Sequence, residues 1–242
     1  MRVDPLGRRL AAEGLGSLLL AATVVGSGIM AERLAGGNGA VALLANTAAT
    51  VAVLATLIAL LGPESGAHFN PAVSVVEAIR GRLALRDTVG YVAVQVVGCC
   101  AGAVLAHAMF ELPLLEASNH VRAGVPQLLG ECVATFGLLL VILGHRRAED
   151  APWMVAAWIG AAYWFTSSTS FANPAITVAR TLTNTFCGIR PADAPGFIAA
   201  QLAGAVLALV ASRPLFRRSS AENPTIRADA PEVGFQGDLP PE

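Results

Sequence analysis

The sequence predicts an all-α membrane protein of six transmembrane helices and two re-entrant half-helices, arranged as an inverted repeat. Three observations carry that prediction. The 242 residues are 55% hydrophobic and 14% charged, with a mean hydropathy of +0.61, far from the usage of soluble chains. Six stretches, at about residues 10–30, 40–61, 91–110, 128–143, 153–165 and 197–215, are apolar, and a helix needs about 20 such residues to cross the hydrocarbon core. The connections at 62–82 and 166–190 each hold an Asn-Pro-Ala box followed by an apolar run, which is not the composition of a simple surface loop.

The first stretch follows Arg2, Arg8 and Arg9 and so has the outline of a signal peptide, but Glu13 inside it and the apolar segments after it favour an uncleaved first span. In the connection at 62–82, Asn70 stands at a helix N-cap position, Pro71 at the first helical position, and Ala72-Val73-Ser74-Val75-Val76 supplies the short helix. Asn173, Pro174, Ala175 and the run to Val178 repeat that logic in the connection at 166–190. A third Asn-Pro, at Asn223-Pro224, has no apolar run behind it and reads as a plain turn. A broken helix at membrane depth is tolerated only where its backbone lines a cavity or is buried in protein, so the two boxes are expected to dip in from opposite sides.

The halves correspond. Glu13-Gly-Leu-Gly-Ser17 in the first span is matched by Glu131-Cys-Val-Ala-Thr135 in the fourth, and Gln95-Val-Val-Gly98 in the third by Gln201-Leu-Ala-Gly204 in the sixth. With three spans per half, an odd number, the second copy inserts upside down and places a site at the midplane. Residues 1–218 thus form one membrane domain, with halves at about 8–115 and 125–218, and the Pro-rich, acidic segment 219–242 reads as a disordered cytoplasmic tail.

All 16 basic residues are Arg, spread between the apolar stretches rather than gathered in a patch, which argues against nucleic-acid binding. Twelve of them (2, 8, 9, 80, 82, 86, 146, 147, 213, 217, 218 and 227) fall on one side of the predicted topology and four (33, 122, 180 and 190) on the other, which puts both termini in the cytoplasm of a multi-pass cell-membrane protein. Cys99, Cys100 and Cys132 lie within apolar stretches, so a disulfide framework is not expected; Cys187, beyond the second box, is read as a packing residue in preference to a thiol sensor. His107, His120 and His145 form no ligand spacing, so neither a metal nor a cofactor is predicted. Gly98 and Gly102 fit a close helix contact.

The two boxes, the lead-in Ser65-Gly66-Ala67-His68-Phe69, the paired glutamates and the paired Gln-x-x-Gly motifs together resemble the aquaporin and aquaglyceroporin superfamily over about residues 8–218. The resemblance implies a homotetramer in the lipid bilayer with one pore per subunit, carrying water or small neutral solutes passively. It implies that Asn70 and Asn173 turn their amide NH₂ groups to the lumen, and that Pro71, Ala72, Pro174 and Ala175 complete the pore boxes. Glu13, Glu131 and His68 are then loop-holding residues, although an ionisable group inside a span by default marks function.

The filter implied by the resemblance departs from the water-selective pattern. Ile176 stands directly after the second box, where water-selective relatives have Arg, and ungapped counting puts the other positions at Thr50, Ala161 (with a latitude of one residue) and Ser170. A quartet with no Arg, His or aromatic predicts a wide, weakly polar constriction. Arg180, one turn beyond Ile176, has two readings: a positive charge restored nearer the outer mouth, or a loop anchor. The run from Asn173 to Arg180 also resembles the bacterial branch associated with arsenic resistance, implying arsenite, methylated arsenicals and glycerol-like polyols as solutes. The alternatives are a general glycerol, water and urea facilitator, a proton-coupled carrier using Glu13 and Glu131, and, more remotely, a membrane enzyme, for which no nucleophile or metal spacing is present.

Overall fold

The structure is a computed structural model that describes residues 5–216. The expectations for the tail at 219–242, for Asn223-Pro224, and for Arg2, Arg217, Arg218 and Arg227 lie outside the described residues. The elements are α1 (Leu6–Leu34), α2 (Gly39–Ser65), α3 (Pro71–Ile79), α4 (Leu85–Met109), α5 (Val125–Gly144), α6 (Ala151–Phe165), α7 (Pro174–Ala179) and α8 (Ala194–Leu215), and no strand occurs among the described residues. Helices α1, α2, α4, α5 and α8 are long and apolar enough to cross a membrane. The fifth span, α6, has only 15 residues, about 22 Å at the helical rise, and packs against both α2 and α5.

Local chemistry sets the breaks. Asn38 caps α2 by accepting from the amides of Ala40 and Val41, and Gly66, at φ 89°, ends it in the left-handed region where a Cβ is unfavourable. Asn70 and Asn173 cap the half-helices α3 and α7, each with Pro at the first turn.

Packing repeats between the halves. Arg9, at the start of α1, reaches Tyr91 and Asp87 at the start of α4, while Arg33 at the end of α1 reaches the Phe110 carbonyl just beyond α4, so the two helices run parallel. In the second half Gly196 faces Leu128 near the starts of α8 and α5, and Gly144 faces Phe216 at their ends, again a parallel pair. The crossings are closed by glycine. A Cβ on Gly98 would overlap the Gly14 carbonyl oxygen and lie 3.1 Å from the Ser17 Cβ, and one on Gly204 would overlap the Cys132 carbonyl oxygen and lie 3.0 Å from the Phe136 amide. The nearest obstacle in each case is a backbone carbonyl, which cannot rotate away. Gly98→Leu is therefore expected to lower thermal stability in detergent by about 1–3 kcal/mol or to prevent assembly, whereas Gly39→Ala, with open space around it, leaves the unfolding temperature unchanged.

Candidate functional site: a cavity between two opposed boxes

The two connections fold in from opposite ends. Residues 65–69 are held near the start of α1 by Glu13, whereas the chain after α7 lies near the other end of α1, where the Phe186 amide donates to Glu32 and the Cys187 thiol to the Val24 carbonyl. Both loops run through left-handed backbone at matching places: Ala67 (φ 48°) and Ser170 (φ 50°), three residues before each Asn, and Phe69 (φ 47°) and Ala172 (φ 48°), one residue before. Each such non-glycine residue costs roughly 1–2 kcal/mol.

The buried glutamates offset that strain. Glu13 accepts from the amides of His68 (2.9 Å) and Phe69 (2.7 Å), from the Ser65 hydroxyl (2.7 Å) and from the Gln95 amide (2.8 Å). Glu131 accepts from the amides of Phe171 (2.8 Å) and Ala172 (2.9 Å) and from the Gln201 amide (2.6 Å). Hydrogen bonds to a charged acceptor contribute roughly 1.5–3 kcal/mol each, so the two backbone bonds outweigh the backbone cost of two such residues in the first loop and about match that of the second, where Thr169 (φ 59°) adds a third. Gln95 also donates to the Ser74 hydroxyl, and Gln201 to the Thr177 hydroxyl. Ser74 and Thr177 each stand four residues after their Asn, a repeat signal present in the sequence but not singled out there.

The boxes are locked to each other. The Asn70 amide donates to the Ala172 carbonyl at 2.8 Å and the Asn173 amide to the Phe69 carbonyl at 2.7 Å, while the side-chain oxygens cap α3 and α7. One amide proton of each Asn is therefore spent on the opposite loop, and one is left for the lumen. Phe69 and Ala172 are shared links, each giving its N–H to the glutamate of its own half and its carbonyl to the Asn of the other.

A cavity of about 870 Å³ runs past this lock. Both Asn line it, as do the α2 residues from Thr50 to Pro63 and the α6 residues Pro152, Val155, Ile159 and Tyr163. Glu77, Arg82, His145 and Glu149 contribute charged and titratable groups to the lining, and Thr50, Tyr163, Ile176 and Arg180 belong to it as well. Neither Glu13 nor Glu131, both fully buried, belongs to the lining.

Of the expected filter residues, Thr50, Ser170 and Ile176 line the cavity, and the Ser170 hydroxyl has no hydrogen-bond partner among the described residues. Ala161 does not line it: it faces outward on α6, and Tyr163 stands at the cavity, its hydroxyl 3.4 Å from that of Thr50. The count from Asn173 back to α6 crosses the irregular segment 166–172, which does not preserve helical phase; the spacing of Pro152, Val155, Ile159 and Tyr163 along one face was the available signal. Tyr163 thus stands in the lining where Ala161 was expected. His68 contacts the Ser74 hydroxyl at 3.0 Å and tilts against Tyr91, besides lining the cavity.

Arg180 is held by the second loop and borders the cavity. Its Nε donates to the Cys187 carbonyl, its guanidinium carbon lies 3.3 Å from the Phe171 ring centroid, and it lines the cavity while 3% exposed. Arg122, passed over in the sequence, lies 5.1 Å from the same ring and donates to the carbonyls of Gly188, Phe186 and Ser168, tying both limbs of the second loop together. Burial, then the neighbouring Arg180 charge, brings the Arg122 guanidinium down to about 10, still protonated at neutral pH. Cys187 is fully buried against Gly28.

Two loops folded in from opposite ends, meeting at their Asn caps beside a cavity between membrane-crossing helices, define a membrane channel for small neutral solutes. Residues 2–172 match the family described as Major intrinsic protein. Over 235 residues the chain is 55% identical to Aquaglyceroporin AqpS of Rhizobium meliloti, covering 96% of this chain and 99% of the relative. It is 33% identical over 138 residues to Aquaporin A of Dictyostelium discoideum, covering 49% and 48% of the two chains. The X-ray structure of the aquaglyceroporin from Plasmodium falciparum aligns with a TM-score of 0.66 over 86% of this chain and 95% of that one, at 20% identity, which shows a shared fold. The chain belongs to the major intrinsic protein family, whose members are channels and not enzymes.

Proposed function

We infer that this channel passes arsenite, methylated arsenicals and glycerol-like polyols in preference to water. The observation that carries this reading is Ile176, buried at the first turn after the second box and lining the same cavity as Ser170, whose hydroxyl has no partner among the described residues. An aliphatic wall there leaves room where an extended Arg would take it, and pore selectivity follows diameter, lining groups and charge. Undissociated arsenous acid is neutral and carries three hydroxyls, so a path that accommodates a polyol suits it, and methyl groups on arsenic suit the aliphatic side. The 55% identical relative, named an aquaglyceroporin, supports the polyol side of the assignment.

The half-helices α3 and α7 direct their positive N-terminal ends, each worth up to roughly half a charge, toward the paired Asn, which opposes cations without impeding neutral molecules. A proton-coupled carrier is less well supported, because Glu13 and Glu131 are tied by backbone and side-chain donors and stand away from the lining. The protein is assigned to the cell membrane as a homotetramer with both termini in the cytoplasm, on the family membership and the Arg bias.

The test is a swelling and uptake series in proteoliposomes with water, glycerol, urea, arsenous acid and methylated arsenicals. Ile176→Arg is expected to suppress the larger solutes about tenfold or more while sparing water. Unchanged selectivity would remove Ile176 from the constriction.

A further inference from the structure

We propose that Arg180 is the specificity-determining cation of this channel's constriction, supplied from one helical turn beyond the position that Ile176 occupies. The proposal rests on the channel reading above and deepens it. Four residues of helix separate the two positions by about 6 Å of backbone rise, so charge and width come from different residues here: Ile176 supplies an aliphatic wall directly after the second box, and the guanidinium reaches the cavity from a position one turn further on, over the Phe171 ring.

Three observations converge. The guanidinium is buried, yet it belongs to the cavity lining rather than to an ion pair among the described residues. Its orientation is set on two sides, by the Cys187 carbonyl that accepts from Nε and by the face of Phe171, an arrangement that holds the planar fork instead of letting a long side chain wander. The lining also carries hydroxyls: those of Tyr163 and Thr50 face one another at 3.4 Å, and that of Ser170 has no hydrogen-bond partner among the described residues. An Arg offers only donors, and hydroxyls offer both donor and acceptor. Together they match a small neutral solute bearing several hydroxyls, whose oxygens take the guanidinium protons as its own protons pass to the hydroxyl oxygens. A cation finds a fixed positive charge in a low-dielectric passage and is turned back.

Phe171 and Arg122 are positioning residues. Phe171 forms the shelf under Arg180, and Arg122 fixes the 186–188 limb that carries the Cys187 carbonyl. Neither needs to touch the solute.

The experiment uses the full chain in proteoliposomes, normalised to inserted protein, and reads proton leak with a trapped pH dye alongside glycerol and water permeability. R180Q is expected to raise the leak about tenfold or more and to lower the glycerol-to-water ratio. R180K keeps the charge but not the fork, so its leak stays within about twofold of the parent while the glycerol-to-water ratio still falls. F171L, which retains Arg180 and removes its shelf, gives the R180Q signature in weaker form and carries the test where R180Q fails to insert. Parental leak and parental ratio in F171L, or in an inserted R180Q, would overturn the proposal. A parent protein that passes no neutral solute would instead sink the channel reading itself.

Discussion

Glu131→Gln is expected to abolish solute flux and to destabilise the protein by several kcal/mol, more than the same change at Glu13. The second loop runs through left-handed backbone at Thr169, Ser170 and Ala172, none of them glycine, whereas the first loop has Gly66 at the place matching Thr169. At roughly 1–2 kcal/mol per residue the second loop stores the larger strain. Glu131 also has the smaller set of bonds, with no counterpart of the Ser65 hydroxyl that donates to Glu13. A Gln side chain retains one carbonyl acceptor but sets an NH₂ against the Phe171 or Ala172 amide. That leaves at least one buried donor unsatisfied, at a cost of about 1–3 kcal/mol, and adds donor–donor repulsion. Membrane yield, thermal unfolding in detergent and glycerol uptake check this. A variant with parental stability and flux would show that the loop holds its shape without the carboxylate.

Asn70→Asp is expected to weaken the cation barrier and reduce neutral-solute flux together. The new carboxylate still accepts from the Ala72 amide, so α3 keeps its cap, and a negative charge at a helix N-terminus is locally favourable. What it loses is the donor. The contact with the Ala172 carbonyl, 2.8 Å in the parent, becomes two acceptors face to face, and the second box is pushed off register. The lumen at the lock then carries a full negative charge where it had an amide proton. Proton or sodium leak in proteoliposomes is expected to rise about tenfold or more, with glycerol uptake falling, and Asn173→Asp mirrors it through the Phe69 carbonyl. Leak and uptake unchanged from the parent would count against the paired amides as the barrier.

The legibility of the site followed chain locality. Asn70 and Asn173 as helix caps were readable because a cap bonds to amides two or three residues away. Glu13 and Glu131 were readable as a pair because the repeat set them at matching places, and the hydrogen bonds they accept lie more than 40 residues away in the first loop and 40 or 41 in the second. Tyr163 was missed for a phase reason, since a fixed count across an irregular loop does not carry helix rotation with it. Arg122 was passed over because its partners at 168, 171, 186 and 188 share no sequence neighbourhood with it.

By itself the sequence determined the class: apolar stretches of spanning length, caps and prolines that break two of the connections, and an odd-numbered repeat that must invert. Those are properties of local propensity and transfer free energy, which a linear string records directly. Tertiary structure alone decided which side chains share the cavity lining, bringing Tyr163 from α6 and Arg180 over Phe171 to stand with Thr50 and Ile176. Helix rotation and loop closure set those positions, and both depend on contacts between segments far apart in the chain.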